Sequence, residues 1–253
     1  PWEPISILDT LSLRTQFPPS SPHGLTIGGW EWERHSQPWQ VAVYHYVRAV
    51  RGGVVSMCKH MPCVPLLAHL CFLPSKSKVR LGQHSLDDDG DTGQSLRMPT
   101  FLSPDADNSQ DLMLLQLREP ANTTEAVRVT EEPTEEAKLG SRCLASGWGS
   151  TRPDKSLSAK ILQCVDLTLM ASDVCTYAYS QRVTEFMLCA GHQEGREAPC
   201  SLGDSGTTLL CDRMLQGITS WGGNPCAYPK KPSIFTKVSK HMSWIKANLQ
   251  ITP

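Results

Sequence analysis

The chain has 253 residues, 40% apolar and 19% charged, with a formal net charge of −1. This composition can supply a real core, and near-neutrality without a basic block excludes a nucleic-acid partner. The longest apolar run, residues 62–74, is too short and too interrupted to cross a bilayer, so no membrane span is expected.

Residues 1–25 show no regular period, and Asp9 and Arg14 break the apolar core that a signal peptide would need. They are read as an irregular pro-segment or an incorrectly assembled N-terminus, followed by one domain over 26–250. Strand-like runs then alternate with Gly, Pro and Asn turns: 40–46, 79–82, 112–117, 141–146, 161–169, 215–221 and 233–238. Short, closely spaced strands with few helical periods give an all-β class, a barrel or a sandwich. Residues 47–78 read as irregular, and the acidic run Asp87–Asp91 reads as a solvated loop that lacks the ligand spacing of an EF-hand. At the end of the chain Met242, Trp244, Ile245 and Leu249 fall at helical spacing, which predicts a final amphipathic helix over 240–250.

Ten cysteines point to an oxidising compartment. The sequon Asn122-Thr123-Thr124 agrees, so the chain is expected to be secreted and glycosylated at Asn122. Cys58, His60, Cys63, His69 and Cys71 cluster in sequence, but Cys-x-His-x-x-Cys matches no ordinary structural zinc pattern and secreted thiols tend to pair. No metal and no cofactor are assigned.

The segment carrying the most chemistry is Gly203-Asp204-Ser205-Gly206, set between Cys200 and Cys211. A serine hydroxyl is a weak nucleophile, so it needs a base beside it and amide donors facing the developing oxyanion. Gly203 lets the backbone turn an N–H inward, and Ser205 supplies both the hydroxyl and a second N–H.

Further blocks make the pattern specific. They are Gly28-Gly29-Trp30, His35–Val43, Asp111–Leu115, Ala145–Gly149, Leu162–Leu167, Phe186–Gly191 and Gln216–Gly222. With these blocks the chain resembles a kallikrein of the glandular and prostatic type, a secreted serine protease of the chymotrypsin/trypsin family. The resemblance implies two antiparallel β-barrels with a C-terminal α-helix and the active site in the cleft between the barrels. It implies a monomer that acts on polypeptide substrates and meets serpin-type or other protease inhibitors.

By resemblance Ser205 is the nucleophile, Gly203 and Ser205 form the oxyanion hole, and Asp111 is the triad aspartate. The family carries Thr-Ala-Ala-His-Cys at the base, where this chain reads Leu66-Leu67-Ala68-His69-Leu70-Cys71. His69 is the candidate base, one residue early counted back from Cys71; the alternative is a bystander histidine in a disturbed loop. The segment between Gln94 and Asp111 is shorter than in the family. The substrate pocket falls to Ala198, Ser220, Trp221, Gly222 and Ser233. Trypsin-like kallikreins have an aspartate at the position of Ala198, and many relatives have glycine at that of Ser233. Without a buried carboxylate an Arg or Lys side chain would enter unpaired, so apolar or aromatic P1 residues are expected.

Other departures lie close to the chemistry. Leu202 is one residue too many before Gly203, and Thr207-Thr208 stands where Gly-Pro is usual. Activation would free Thr26 after Leu25 rather than an isoleucine after a basic residue, with Asp204 as the partner of the new ammonium. Implied disulfides are Cys143–Cys211, Cys175–Cys189 and Cys200–Cys226. Cys164 faces Trp32 where a cysteine belongs, and Cys71 has Arg51 as its would-be partner, so two family bridges are expected to be missing, with Cys58 or Cys63 as an alternative partner for Cys71. The rival expectation is a catalytically impaired homologue, a pseudoprotease or binding scaffold.

Overall fold

The computed structural model describes residues 30–31, 33–45, 48–54, 63–66, 77–87, 93–97, 100–102, 110–117, 121–152, 155–158, 160–180, 182–192, 206, 208–223 and 230–249. Eight strands make up the first part of the chain: β1 (Trp30–Glu31), β2 (Gln40–His45), β3 (Arg48–Val54), β4 (Cys63–Leu66), β5 (Ser77–Leu81), β6 (Gln94–Arg97), β7 (Thr100–Leu102) and β8 (Met113–Gln116). The second part holds β9 (Arg142–Gly147), β10 (Ser150–Arg152), β11 (Lys155–Ser158), β12 (Gln163–Met170), α1 (Ser172–Ala178), β13 (Met187–Gly191), β14 (Thr208–Cys211), β15 (Met214–Trp221) and β16 (Ser233–Lys237). A 3-10 turn, Val238–His241, leads into α2 (Met242–Leu249).

In the second half the strands run in the order β12-β13-β16-β15-β14-β9, and β9 pairs back onto β12, so six antiparallel strands close into a barrel. Closure removes free sheet edges. Its interior is Ala145, Val165, Leu167, Leu169, Ala190, Leu209 and Phe235, with the bridge Cys143–Cys211 at one end. In the first half two sheets, β3-β2-β5-β6 and β4-β8-β7, enclose a common core of Val41, Val43, Val79, Leu81, Met113, Leu115, Leu117 and Val127.

Two strands join the halves. Side chains alternate across a strand, so a run that is apolar at every position has both faces covered. In β2, Val41 and Val43 enter the first core, while Ala42 and Tyr44 pack on Trp148 and Leu162. In β8, Met113 and Leu115 enter the first core. Leu114, together with Leu112 just ahead of the strand, packs against Leu210, Leu215, Ile218, Val238 and Ile245. The apolar face of α2 thus seals the junction of the halves, with Met242, Trp244 and Trp39 around it.

All seven strand-like runs are strands, each with one or both ends shifted by one or two residues. The segment read as irregular needs correction: 47–78 contains β3, β4 and the start of β5. β3 is held by backbone pairing to β2, with Ala42 opposite Gly52 and Gln40 opposite Val54, and its two glycines hide the strand period. The final helix also begins later than expected, because Val238–His241 takes 3-10 form and His241 Nδ1 lies 2.9 Å from Lys237 O.

Candidate active site

Asp111 sits two residues before β8, where the two halves meet. Its carboxylate Oδ2 accepts a hydrogen bond from Ser220 Oγ on β15. Its backbone carbonyl accepts another from Thr236 Oγ1 on β16, at 3.2 Å. Both donors belong to the closed barrel, whereas Asp111 leads into the first half's sheet. The backbone turns sharply there, with φ at +47°. Aspartate tolerates this left-handed conformation better than most residues because its short polar side chain bonds locally. Leu112 and Leu114 anchor the other side of the turn in the junction core.

Ser220 and Ser233 are buried on neighbouring strands, β15 and β16. Gly222 continues the first strand beside Ser233: a side chain there would begin 3.8 Å from Ser233 Oγ. Ser220, Trp221, Gly222 and Ser233 therefore lie side by side as one stretch of wall. Ser233 brings a hydroxyl to that wall where glycine would leave space.

Next to the wall lies an open cavity of about 450 Å³, lined by Tyr179, Arg182, Trp221, Gly222, Gly223 and Lys231 among others. Tyr179 meets Trp221 edge to face at 4.7 Å and donates from Oη to Pro232 O at 2.6 Å. Lys231 Nζ donates to Ala178 O and lies 4.7 Å from the centre of the Tyr179 ring, a cation–π contact. Burial pushes the Tyr179 hydroxyl up to about 12, opposed by a backbone hydrogen bond at Gly223. Sequence reasoning missed Tyr179, Arg182 and Lys231. No spacing rule links the end of α1 to a segment 53 residues later, although Tyr179 stands four residues after a predicted bridging cysteine.

Of the nucleophile loop, Gly206 is described. It is buried, has φ at +86°, and donates its N–H to Thr219 O at 3.0 Å. That positive φ favours glycine, which has no Cβ to clash with the backbone. Thr26, His69, Ala198, Gly203, Asp204 and Ser205 lie outside the described residues.

The bridges Cys143–Cys211 and Cys175–Cys189 are formed as predicted. Cys200, Cys226, Cys58 and Cys71 lie outside the described residues, as does Trp32. Cys164 is a buried free thiol, opposite Trp30 in the β1–β12 register, and burial raises its pKa well above the ordinary thiol value. Asn122 is exposed, its backbone N–H and carbonyl both bonded to the Gln94 side chain.

The trypsin family model matches residues 26–245. The chain belongs to the trypsin family. It is 48% identical to human Kallikrein-2 over 242 residues, 90% of either chain. It is 45% identical to mouse Kallikrein 1-related peptidase b1, again over 90% of each. Among solved structures, mouse neuropsin, a serine protease expressed in the limbic system of the brain, superposes with a TM-score of 0.79 at 35% identity. That superposition covers 87% of this chain and 98% of neuropsin. The chain is therefore a kallikrein-like serine protease of trypsin fold.

Proposed function

We propose that this kallikrein-like chain is a secreted endopeptidase that hydrolyses peptide bonds through an acyl-enzyme on Ser205. His69 takes the Ser205 proton as the hydroxyl attacks the scissile carbonyl, then passes it to the leaving amine. Asp111 accepts the other imidazole N–H and stabilises the imidazolium formed on the way. The N–H groups of Gly203 and Ser205 receive the oxyanion. Water then releases the acyl group, with His69 as base again. The observation that carries this reading is the Asp111 carboxylate, fixed at the seam of the two halves by Ser220 and by the backbone bond to Thr236.

Pocket chemistry supports apolar or aromatic P1 residues, since Ala198 offers no countercharge and Ser233 narrows the wall. Activation pairs the Thr26 ammonium with Asp204, and exposed Asn122 carries the glycan. Polypeptides are the substrates, serpin-type or other protease inhibitors are the natural partners, and the chain acts as a monomer. A fluorogenic peptide series with P1 as Phe, Tyr, Leu, Arg or Lys tests this on protein trimmed to begin at Thr26. Cleavage should favour Phe and Tyr and vanish in Ser205→Ala; cleavage after Arg would refute the pocket reading.

A second reading, a scaffold that no longer cuts, is favoured by Cys164: its free thiol removes one staple of the family from β12. In that case no peptide of the series is cleaved by the trimmed protein.

A further inference from the structure

Thr208 opens β14, three residues after Ser205, at a position where the family pattern has proline. Proline would fix the backbone through its ring and offer no hydroxyl and no N–H. Thr208 is wholly buried, and its hydroxyl meets two other buried polar side chains. Its Oγ1 lies 2.9 Å from Ser146 Oγ on β9 and 3.3 Å from Gln40 Oε1 on β2. Ser146 Oγ lies 3.2 Å from the same Gln40 oxygen. Two hydroxyl protons serve these three contacts. Donation runs from Thr208 to Ser146 to Gln40, or from Ser146 to Thr208 to Gln40, or from each hydroxyl to Gln40 directly.

Gln40 is contributed by the first half of the molecule, 168 residues away in sequence from Thr208. Ser146 and Thr208 face each other in the closed barrel, in register across β9 and β14. The hydroxyl cluster thus spans the same seam as Asp111. Ahead of Thr208, the Gly206 N–H is bonded to Thr219 O, next to the serine that holds the Asp111 carboxylate. Buried hydrogen bonds of this kind are costly to leave half made, so the cluster favours one position of the strand.

We propose that Thr208 is a positioning residue that holds the loop carrying Ser205. Its hydroxyl, tied to Ser146 and Gln40, takes over the restraint that a proline ring supplies elsewhere in the family. The proposal rests on the reading of Ser205 as the nucleophile for its consequence on rate, but not for its consequence on structure.

Both are read in one experiment on the full chain, trimmed to begin at Thr26, comparing wild type, Thr208→Val, Thr208→Ser and the control Ser205→Ala. The first readout is hydrogen exchange of the Gly206 amide against that of the Leu215 amide, which is bonded to Glu131 O away from the cluster. The second is the rate of labelling by a fluorophosphonate probe. Valine keeps the shape and removes the hydroxyl, so Gly206 should exchange about tenfold faster with Leu215 unchanged, and labelling should slow about tenfold or more. Serine restores the hydroxyl and should return both towards wild type. Should Thr208→Val not fold, Ser146→Ala removes the hydroxyl partner of Thr208 across β9 and β14 and should show a local loss of the same kind, smaller in size. Gly206 protection and labelling that are both unchanged in Thr208→Val, or Gly206 and Leu215 amides accelerated alike, would overturn the proposal. A wild type that takes no label, with Gly206 still freed by Thr208→Val, removes the enzyme reading and supports the anchoring.

Discussion

Ser220 and Asp111 are 109 residues apart, yet the hydroxyl of one donates to the carboxylate of the other at the seam between the two halves. That contact, with Thr236 on the Asp111 carbonyl, fixes both the side chain and the sharply turned backbone of the aspartate. A carboxylate must be oriented before it can orient an imidazole. Ser220→Ala should therefore lower kcat about tenfold, because it loosens Asp111 without touching Ser205, the proposed nucleophile. Steady-state kinetics on an aromatic-P1 peptide check this.

The two bridges among the described residues differ in the loops they close. Cys143–Cys211 spans 68 residues and Cys175–Cys189 spans 14. Loop-closure entropy assigns them about 4 and about 3 kcal/mol. Replacing both cysteines of the longer bridge by alanine should lower Tm by roughly 10 °C, and the shorter pair should cost less. Thermal unfolding followed by circular dichroism gives the order, and an inverted order would contradict the loop argument.

Tyr179 ties α1 to the segment before β16 through its bond to Pro232 O, and its hydroxyl is raised to about 12 by burial. A raised folded pKa contributes stability that is fully present below the unfolded value near 10 and is lost as pH rises towards the folded value. Wild type should accordingly lose stability between about pH 10 and pH 12 more steeply than Tyr179→Phe. At pH 7 the phenylalanine variant should be lower in Tm by about 2 °C for the lost hydrogen bond. Denaturant melts across the alkaline range test both signs.

Glu132 has a buried carboxylate oxygen, and burial raises its pKa against the pull of Lys246. The sign is opposite to that of a salt-bridged acid: its stabilising contribution is complete below the ordinary glutamate range and lost as pH rises through the raised value. Glu132→Gln should thus raise Tm at pH 7, by about 1 °C, with the gain shrinking towards pH 4. Calorimetry at the two pH values decides it. A fall in Tm at pH 7 would mean that the Lys246 attraction outweighs burial.

Much of the architecture is legible in the chain because its pattern is simple where packing is two-sided. Val41–Tyr44 and Leu112–Leu115 are apolar at every position, and each supplies residues to two clusters. Other elements leave weaker marks. β3 carries Gly52-Gly53, which erases the alternation, and its place is set by partner strands. α1 spans only seven residues and buries only Cys175, so it shows no apolar stripe. At the site, Asp111 and Ser220 are legible as candidates from the blocks that contain them, and Ser233 as a departure from the family's glycine. The Tyr179–Lys231 contact and the Gln40–Ser146–Thr208 cluster are not, because each depends on distant segments meeting in space.

The free thiol of Cys164 gives a direct check on burial. It is enclosed on β12 and its pKa is raised, so thiolate is scarce and access is blocked. Iodoacetamide at pH 8 should modify it on the order of 100-fold more slowly in the folded chain than in urea. Intact mass before and after unfolding reads the difference.

The central claim is that Ser205 is an activated nucleophile. The measurement that bears on it most directly is covalent labelling of the chain, trimmed to begin at Thr26, by a fluorophosphonate, with the modified peptide identified by mass spectrometry. The account predicts one label, on Ser205, absent from Ser205→Ala and slowed in Ser220→Ala. A correctly folded, trimmed chain that takes no label at Ser205 would contradict it.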